Sequence, residues 1–150
     1  MYGSIVVGTD GSETAGEAVR QATALAALTG AHLHVVSASQ TADSAMFATA
    51  VAATAGMPLP RMETDFNPLA ETAAMLDGVA ADIASQGVVS TLHPCRGPAA
   101  GAILDVAKSQ KADLIVLGSR GMTGVRRVLG SVPNSVAHGA DCAVLIVKTD

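Results

Sequence analysis

Short runs of four to six hydrophobic residues recur along the chain, and each is followed by a turn and then by residues with helical spacing. The first run is Ser4 to Gly8, and its centre is β-branched, as strands favour. Ser12 offers an N-cap for the helix that follows, and Gly30 ends that helix. The apolar face of this helix consists of Ala15, Val19, Ala22 and Ala26. The alternation of strand and helix predicts a mainly parallel sheet with helices on both faces.

Four more strands are predicted from the hydrophobic runs Ala31 to Ser37, Val88 to Leu92, Leu114 to Leu117 and Cys142 to Val147. Pro94 is expected to stop the third strand. The fourth and fifth strands are apolar throughout, which is typical of parallel strands that are buried on both faces. We therefore predict an α/β fold with a five-stranded parallel doubly wound sheet in the order 3-2-1-4-5, and we expect residues 1–150 to form a single domain.

Three more helices are predicted between the later strands. Asn67 is a cap that is followed by Pro68 at the first helical position. The apolar stripe of this helix is Leu69, Ala73, Leu76, Ala80 and Ile83. Pro98 opens the next helix, and a short one runs from about Val132 to His138. The pattern is blurred between Ser39 and Phe66, where residues 44–55 are compatible with a helix.

The composition points away from several classes of function. The chain has 150 residues, a formal net charge of −4, two Phe, one Tyr and no Trp. A nucleic-acid binder needs a basic face, and a binder of single strands also needs aromatic stacking platforms, so we expect no nucleic-acid partner. The chain starts without the charged and apolar segments of a signal peptide, and its apolar stretches are too short to span a bilayer. We therefore expect a cytoplasmic location and no membrane partner.

The cysteine and histidine positions do not indicate a metal site or a catalytic group. Cys95 and Cys142 lie far apart and without metal-type spacing, so we interpret them as free thiols in a reducing compartment. His32 and His34 share one face of the second strand, a spacing that can bind metal, but no carboxylate or cysteine is placed to complete a site. No serine has a neighbouring His/Asp arrangement for nucleophilic catalysis.

The candidate chemistry lies in the glycine-rich segment from Gly118 to Ser131, which connects a buried strand to a helix. Glycines allow main-chain amides to approach a ligand closely. The helix amino terminus at Ser131 supplies free N–H groups and the positive end of a dipole, which suits a phosphate. The Ser131 hydroxyl could equally serve as the helix N-cap. The arginines of the segment, Arg120, Arg126 and Arg127, could contact phosphates or simply be solvated.

A second feature lies at the end of the first strand. In open α/β sheets ligands bind outside the carboxyl ends of the strands, where the strand order reverses. For the predicted order that crevice lies between Thr9, Asp10 and Gly118. Asp10 could accept hydrogen bonds from ribose hydroxyls, or it could form an Asx-turn with the two residues that follow it.

Several segments of the sequence resemble those of a known protein family. The opening IVVGTDGS, the pair His34-Val35, and the later segments GSRG, GSVPNSVAH and AVLIVK are similar to those of universal stress proteins. ATP-binding members carry the pattern G-x2-G-x9-G-[ST]. Here Gly118, Gly121, Gly130 and Ser131 match this pattern, except that eight residues instead of nine separate the second and third glycines.

This resemblance implies a Rossmann-like fold of the adenine nucleotide alpha hydrolase type, with an adenine nucleotide bound in the crevice. Asp10 would contact the ribose, Val35 the adenine and Leu117 the base pocket. The phosphates and ribose would be surrounded by Gly118, Gly121, Gly130 and Ser131, and Val132 would follow Ser131 at the phosphates. ATP is the expected ligand, with AMP or cAMP as alternatives, and any Mg²⁺ would be carried by the nucleotide phosphates.

The resemblance also leaves several functions open. A stress-response regulatory module that binds a nucleotide is the main expectation, and family members commonly form homodimers through the last strand, here Cys142 to Val147. A weak ATPase or a self-phosphorylating protein is a second hypothesis. The third is a nucleotide-free dimeric interaction protein, because the missing residue could abolish nucleotide binding.

Overall fold

The computed structural model describes residues 1–39, 50–58, 67–119 and 131–149. The strands are β1 (Ser4–Gly8), β2 (His32–Ser39), β3 (Ser90–Arg96), β4 (Leu114–Gly118) and β5 (Ala143–Val147). The helices are α1 (Glu13–Thr29), α2 (Pro68–Ser85), α3 (Ala99–Ser109) and α4 (Ser131–Gly139). Residues 50–54 are also helical, and the rest of the segment predicted as a helix at 44–55 is either a turn or outside the described residues.

The strands form one five-stranded sheet in the order β3-β2-β1-β4-β5, and every neighbouring pair is parallel. This confirms the predicted doubly wound topology. Helices α1 and α2 pack on one face, where Leu76 and Ile83 of α2 contribute to a core cluster with Val7. Helices α3 and α4 cover the other face, where Ile103 and Val136 belong to a second cluster. The carboxyl ends of β1 and β4 lie side by side at the point where the strand order reverses.

The third strand differs from its prediction. It begins at Ser90 and continues to Arg96, so the expectation that Pro94 stops it is wrong. Proline is tolerated here because β3 is an edge strand with one neighbour, so a main-chain N–H on its outer side is not needed for the ladder. The second strand likewise extends two residues further than predicted, to Ser39.

The helix termini follow the sequence signals. The Ser12 side chain accepts a hydrogen bond from the N–H of Ala15 at 3.2 Å. Asn67 accepts from Leu69 and Ala70 at the start of α2, with Pro68 in the first turn. Both predicted caps are confirmed. Each cap fixes where its helix begins. The helix capped by Ser12 begins close to the end of β1.

Candidate functional site

A cavity opens at the carboxyl ends of β1, β2 and β4, on the face covered by α3 and α4. Its volume is about 180 Å³. The lining residues are Gly8, Thr9, Asp10, Ala15, Val36, Ala38, Ala99, Ile103, Leu117, Gly118, Ser131, Val132 and Pro133. Most of these side chains are small or aliphatic. Polar groups come from the end of β1 and from the amino-terminal end of α4.

The turn after β1 is held by its own polar side chains. Thr9 is buried, and its N–H donates to the carbonyl of Val36 at 2.9 Å, which ties the end of β1 to β2. The Thr9 hydroxyl accepts from the N–H of Gly11 at 3.2 Å, and Asp10 Oδ1 accepts from the N–H of Ser12 at 2.9 Å. Asp10 therefore forms the Asx-turn, one of the two roles considered for it. Its carboxylate is exposed, so it remains accessible to a ligand hydroxyl.

Gly8 lets the walls of the cavity come close together. A Cβ atom at this position would lie 2.7 Å from Ile103 Cδ1 and 2.8 Å from Leu117 Cδ2. Both of those side chains line the cavity. A larger residue at position 8 would therefore push the two aliphatic side chains from their places, so glycine here sets the shape of the apolar end of the cavity.

The structure brings most of the predicted site residues together. Those that line the cavity are Thr9, Asp10, Leu117, Gly118, Ser131 and Val132. Val35 does not: it packs in the core cluster under α1 and α2, and Val36 lines the cavity in its place. Successive residues of a strand point to opposite faces, so the side chain at position 36, and not the one at position 35, reaches the cavity. Gly121 and Gly130 lie outside the described residues, as do the three arginines of the same segment.

Seven residues that line the cavity were not predicted from the sequence. They are Gly8, Ala15, Val36, Ala38, Ala99, Ile103 and Pro133. The alternation of β2 puts Val35 and Val36 on opposite faces, but only the packing of the helices shows that Val36 lies on the cavity face with Val6. Nothing in the sequence pattern showed which residues of α3 would reach the end of the sheet.

Asp10 is the one titratable side chain among the residues that line the described part of the cavity. No histidine, cysteine, lysine or second carboxylate stands beside it there to act as a base or to hold a metal ion. Across the described residues, no group of three or more His, Cys, Asp and Glu side chains is arranged to bind a metal.

A histidine cluster lies on the same sheet face, and its residues are not among those that line the cavity. His34 Nδ1 and His93 Nε2 are 3.0 Å apart, and the rings of His32 and His34 stack at 4.5 Å. His32 Nε2 also pairs with the Thr91 hydroxyl at 2.7 Å. Burial, together with the charges of His32 and His93, lowers the pKa of His34 to about 4. Burial also lowers the pKa of His93, so this pair is neutral near pH 7.

The end of the chain is attached next to the cavity. Ser119 directly follows the cavity residue Gly118, and its hydroxyl accepts from the N–H of Thr149 at 3.1 Å. The hydroxyls of Ser119 and Thr149 are 3.3 Å apart, and Thr149 is buried. The N–H of Ser119 donates to the carbonyl of Val147 at 2.8 Å. The residues that follow β5 are thereby fixed to the rim of the site.

The two cysteines are free and partly buried. Burial and the nearby Asp105 raise the pKa of Cys95. Burial, Asp113 and Asp141 raise the pKa of Cys142. Both thiols are therefore poor nucleophiles, because the thiolate is the reactive form.

The sequence model of the universal stress protein family matches residues 1–148. The universal stress protein Sll1388 of Synechocystis is 32% identical, with 98% of each chain covered. Universal stress protein A homolog 2 of Coxiella burnetii is 46% identical over 69 residues, and the chain spans 47% of that relative's length. A solved universal stress protein in complex with cAMP is 30% identical, with a TM-score of 0.71 and coverage of 99% of this chain and 98% of that one.

Proposed function

The chain belongs to the universal stress protein family, and from that premise we propose that it binds an adenine nucleotide in the cavity between β1, β4 and α4. The bound state would act as a stress-response signal that a partner reads. The single observation that carries the proposal is the solved relative in complex with cAMP, which is 30% identical over 99% of this chain.

The distribution of polar groups in the cavity supports this proposal. Val36, Ile103 and Leu117 offer an apolar surface that suits a flat base. The exposed carboxylate of Asp10 lies at the edge of the same cavity and can accept hydrogen bonds from ribose hydroxyls. The cavity volume of about 180 Å³ is below the roughly 300–1,000 Å³ of most small-molecule sites, so the base would occupy it and the phosphates would lie at its rim.

The phosphates would lie at the amino-terminal end of α4, where Ser131 and Val132 line the cavity. Helix amino termini favour anions because their first N–H groups have no partner within the helix. ATP is the proposed ligand on the strength of the glycine pattern, and AMP and cAMP are the alternatives because the pattern is one residue short. Mg²⁺ would enter only with the phosphates.

We also propose that the protein is a cytoplasmic homodimer that pairs through β5. The apolar strand Ala143–Val147 is the last in the sheet and has one neighbour, and an edge of this kind is usually covered or paired. Among the residues that the structure describes, none of the helices is both long and apolar enough to cross a membrane. A monomer in sedimentation experiments at micromolar concentration would contradict the dimer.

The binding proposal is tested on the purified protein in two steps. Mass spectrometry of the small molecules released on denaturation identifies any ligand that was retained, and thermal unfolding is then followed with ATP, AMP or cAMP added. A ligand at about 100 times its Kd stabilises the folded state by about 2.7 kcal/mol, which raises Tm by several degrees. If no nucleotide is retained and none raises Tm, the protein is not a nucleotide binder.

Variants of Asp10 test whether a nucleotide-dependent rise in Tm comes from binding in this cavity. Asp10→Ala should lose most of the nucleotide-dependent rise in Tm, because it removes the acceptor proposed for the ribose. Asp10→Asn keeps an acceptor for the N–H of Ser12 and thus separates loss of the turn from loss of the charge. The matched control is Asp77→Ala on the exposed side of α2, which should respond to nucleotide as the parent does.

A further inference from the structure

The two edge strands of the sheet differ in what they offer to another strand. In β3 the hydrogen bonds to β2 alternate: the N–H of Leu33 donates to the carbonyl of Val89, and the N–H of Gly97 donates to the carbonyl of Ser39. The odd-numbered residues from 89 to 97 therefore point their main-chain groups toward β2. The even-numbered residues, Ser90 to Arg96, point theirs away from the sheet.

Pro94 stands at one of these outward positions, paired in register with Ser37. Its ring replaces the N–H that would otherwise project from the edge. Thr91, Pro94 and Arg96 are all exposed, so this part of the edge is open to the surroundings. The row of main-chain N–H groups that point outward from β3 is thus interrupted near its middle, and no hydrogen bond to β2 is lost.

The opposite edge has no such interruption. The N–H of Ser119 donates to the carbonyl of Val147, so Val147 faces β4 and, by alternation, Val144 and Ile146 point their N–H and C=O groups outward. Neither residue is a proline. The side chains of both are only half-buried, which leaves apolar surface next to these outward-pointing groups.

We propose that Pro94 makes the β3 edge unavailable for strand addition, so that association of this chain through its sheet is confined to the β5 edge and to a second copy of the chain. This inference rests in part on the proposed β5 dimer. Pairing of β5 of one copy with β5 of another is isologous, so the assembly closes as a dimer. Pairing of β3 of one copy with β5 of the next would leave an unpaired edge at each end, so copies could be added indefinitely. Pro94 excludes the second arrangement.

The test is the variant Pro94→Thr, which restores an outward N–H and introduces a residue with high strand propensity. Its mass-average molar mass, measured by sedimentation or light scattering over a concentration series, should exceed that of the parent by at least about twofold at the highest concentration, because open-ended association grows with concentration. If the threonine variant loses its fold, judged by circular dichroism, Pro94→Ala takes its place.

The matched control is Thr91→Val, an exposed change on the same strand at a position whose N–H already points toward β2. It adds apolar surface without a new main-chain donor, and it removes the hydroxyl that pairs with His32 Nε2 inside the sheet face. Neither change alters the edge, so the molar mass should stay unchanged. A folded Pro94 variant with the molar mass of the parent at every concentration would overturn the proposal. If the parent is a monomer and Pro94→Thr becomes a larger species, the β5 dimer fails while the role of Pro94 stands.

Discussion

Gly8 illustrates how one missing side chain shapes the cavity. For Gly8→Ala we expect nucleotide affinity to fall by about tenfold or more, because the new Cβ would displace the tips of Ile103 and Leu117, from which it would lie 2.7 and 2.8 Å. Overpacking of this kind costs about 1–3 kcal/mol of stability, and the value should lie near the lower end because both tips can rotate. Titration calorimetry and urea unfolding measure the two effects.

Gly101→Ala is the control for this prediction. Gly101 lies on α3, the helix that carries Ile103, and a Cβ there would meet no atom within 4 Å. This variant should bind as the parent does and gain about 0.5–1 kcal/mol of stability, since alanine is preferred to glycine within a helix. Equal nucleotide affinity for Gly8→Ala and the parent would mean that the apolar end of the cavity does not hold the base.

His34 predicts a dependence of stability on pH. Its folded-state pKa of about 4 lies below the ordinary value of 6.5, so the unfolded chain binds a proton more readily. Stability therefore rises with pH wherever the unfolded state holds more protons, and the contribution of His34 is complete above about pH 6.5. As the pH falls from 6.5 to 4, that contribution is lost. Urea unfolding of the parent at pH 7, 6 and 5 should show this decline.

The variant His34→Gln separates this contribution from that of the carboxylates. It removes the group with the largest resolved pKa shift in the cluster while it retains a polar side chain of similar reach. Its free energy of unfolding should fall less between pH 7 and pH 5 than that of the parent. Identical pH profiles for the two proteins would show that burial of neutral His34 does not govern acid sensitivity.

Val35 and Val36 show which property of single residues could not be predicted, namely the face of the sheet to which each side chain points. Val35 and Val36 are both apolar and both buried, so hydrophobicity could not show which of them faces the cavity. That choice depends on which side of the sheet each helix covers, and this is set by packing. Thr9 and Asp10 were predictable, because the end of a strand at the reversal of strand order follows from topology alone.

The N-cap of α1, Ser12, could be predicted from the local sequence, and it lies next to the candidate site. Ser12→Ala should cost about 1 kcal/mol of stability, because the N–H of Ala15 loses the side-chain acceptor that lies 3.2 Å away. Urea unfolding measures this loss, and Ser12→Asp should recover it since aspartate is an equally good cap. An unchanged unfolding midpoint in Ser12→Ala would mean that water replaces the hydroxyl without cost.

The strands show why boundaries are harder to predict than elements. The rule that proline stops a strand failed for β3 because it depends on the side to which the missing N–H would point. That side is fixed by the register with β2, where Pro94 lies opposite Ser37, and register is not written in the hydrophobic pattern of an edge strand. The interior strand β4 offered no such ambiguity, and its prediction differed from the structure by one residue, Gly118.

The order and direction of the strands in the sheet were the features that the sequence predicted best. Five apolar runs separated by helical patterns allow few arrangements, since crossovers between parallel strands are right-handed and sequential elements pack as neighbours. The candidate site was less predictable, because its phosphate side depends on a glycine-rich segment whose spacing departs from the family pattern by one residue. Gly118 and Ser131, the two ends of that segment, both line the cavity, and this is the part of the prediction that geometry can support.

The pairing of Ser119 with Thr149 joins the rim of the site to the end of β5, and so to the proposed dimer edge. Ser119→Ala should lower the free energy of unfolding by about 1–3 kcal/mol, because it leaves the N–H of buried Thr149 without its acceptor. It should also weaken the dimer, since the residues after β5 would no longer be held against β4. Urea unfolding and sedimentation at micromolar concentration measure these two effects.

The matched control is Ser85→Ala at the exposed end of α2, where the hydroxyl donates to a carbonyl three residues earlier and nothing distant is joined. It should change stability by less than about 0.5 kcal/mol, as surface substitutions usually do. Loss of stability in Ser119→Ala with an unchanged dimer would mean that β5 is positioned by its ladder with β4 alone. In that case the cavity and the proposed dimer edge would be mechanically separate parts of the molecule.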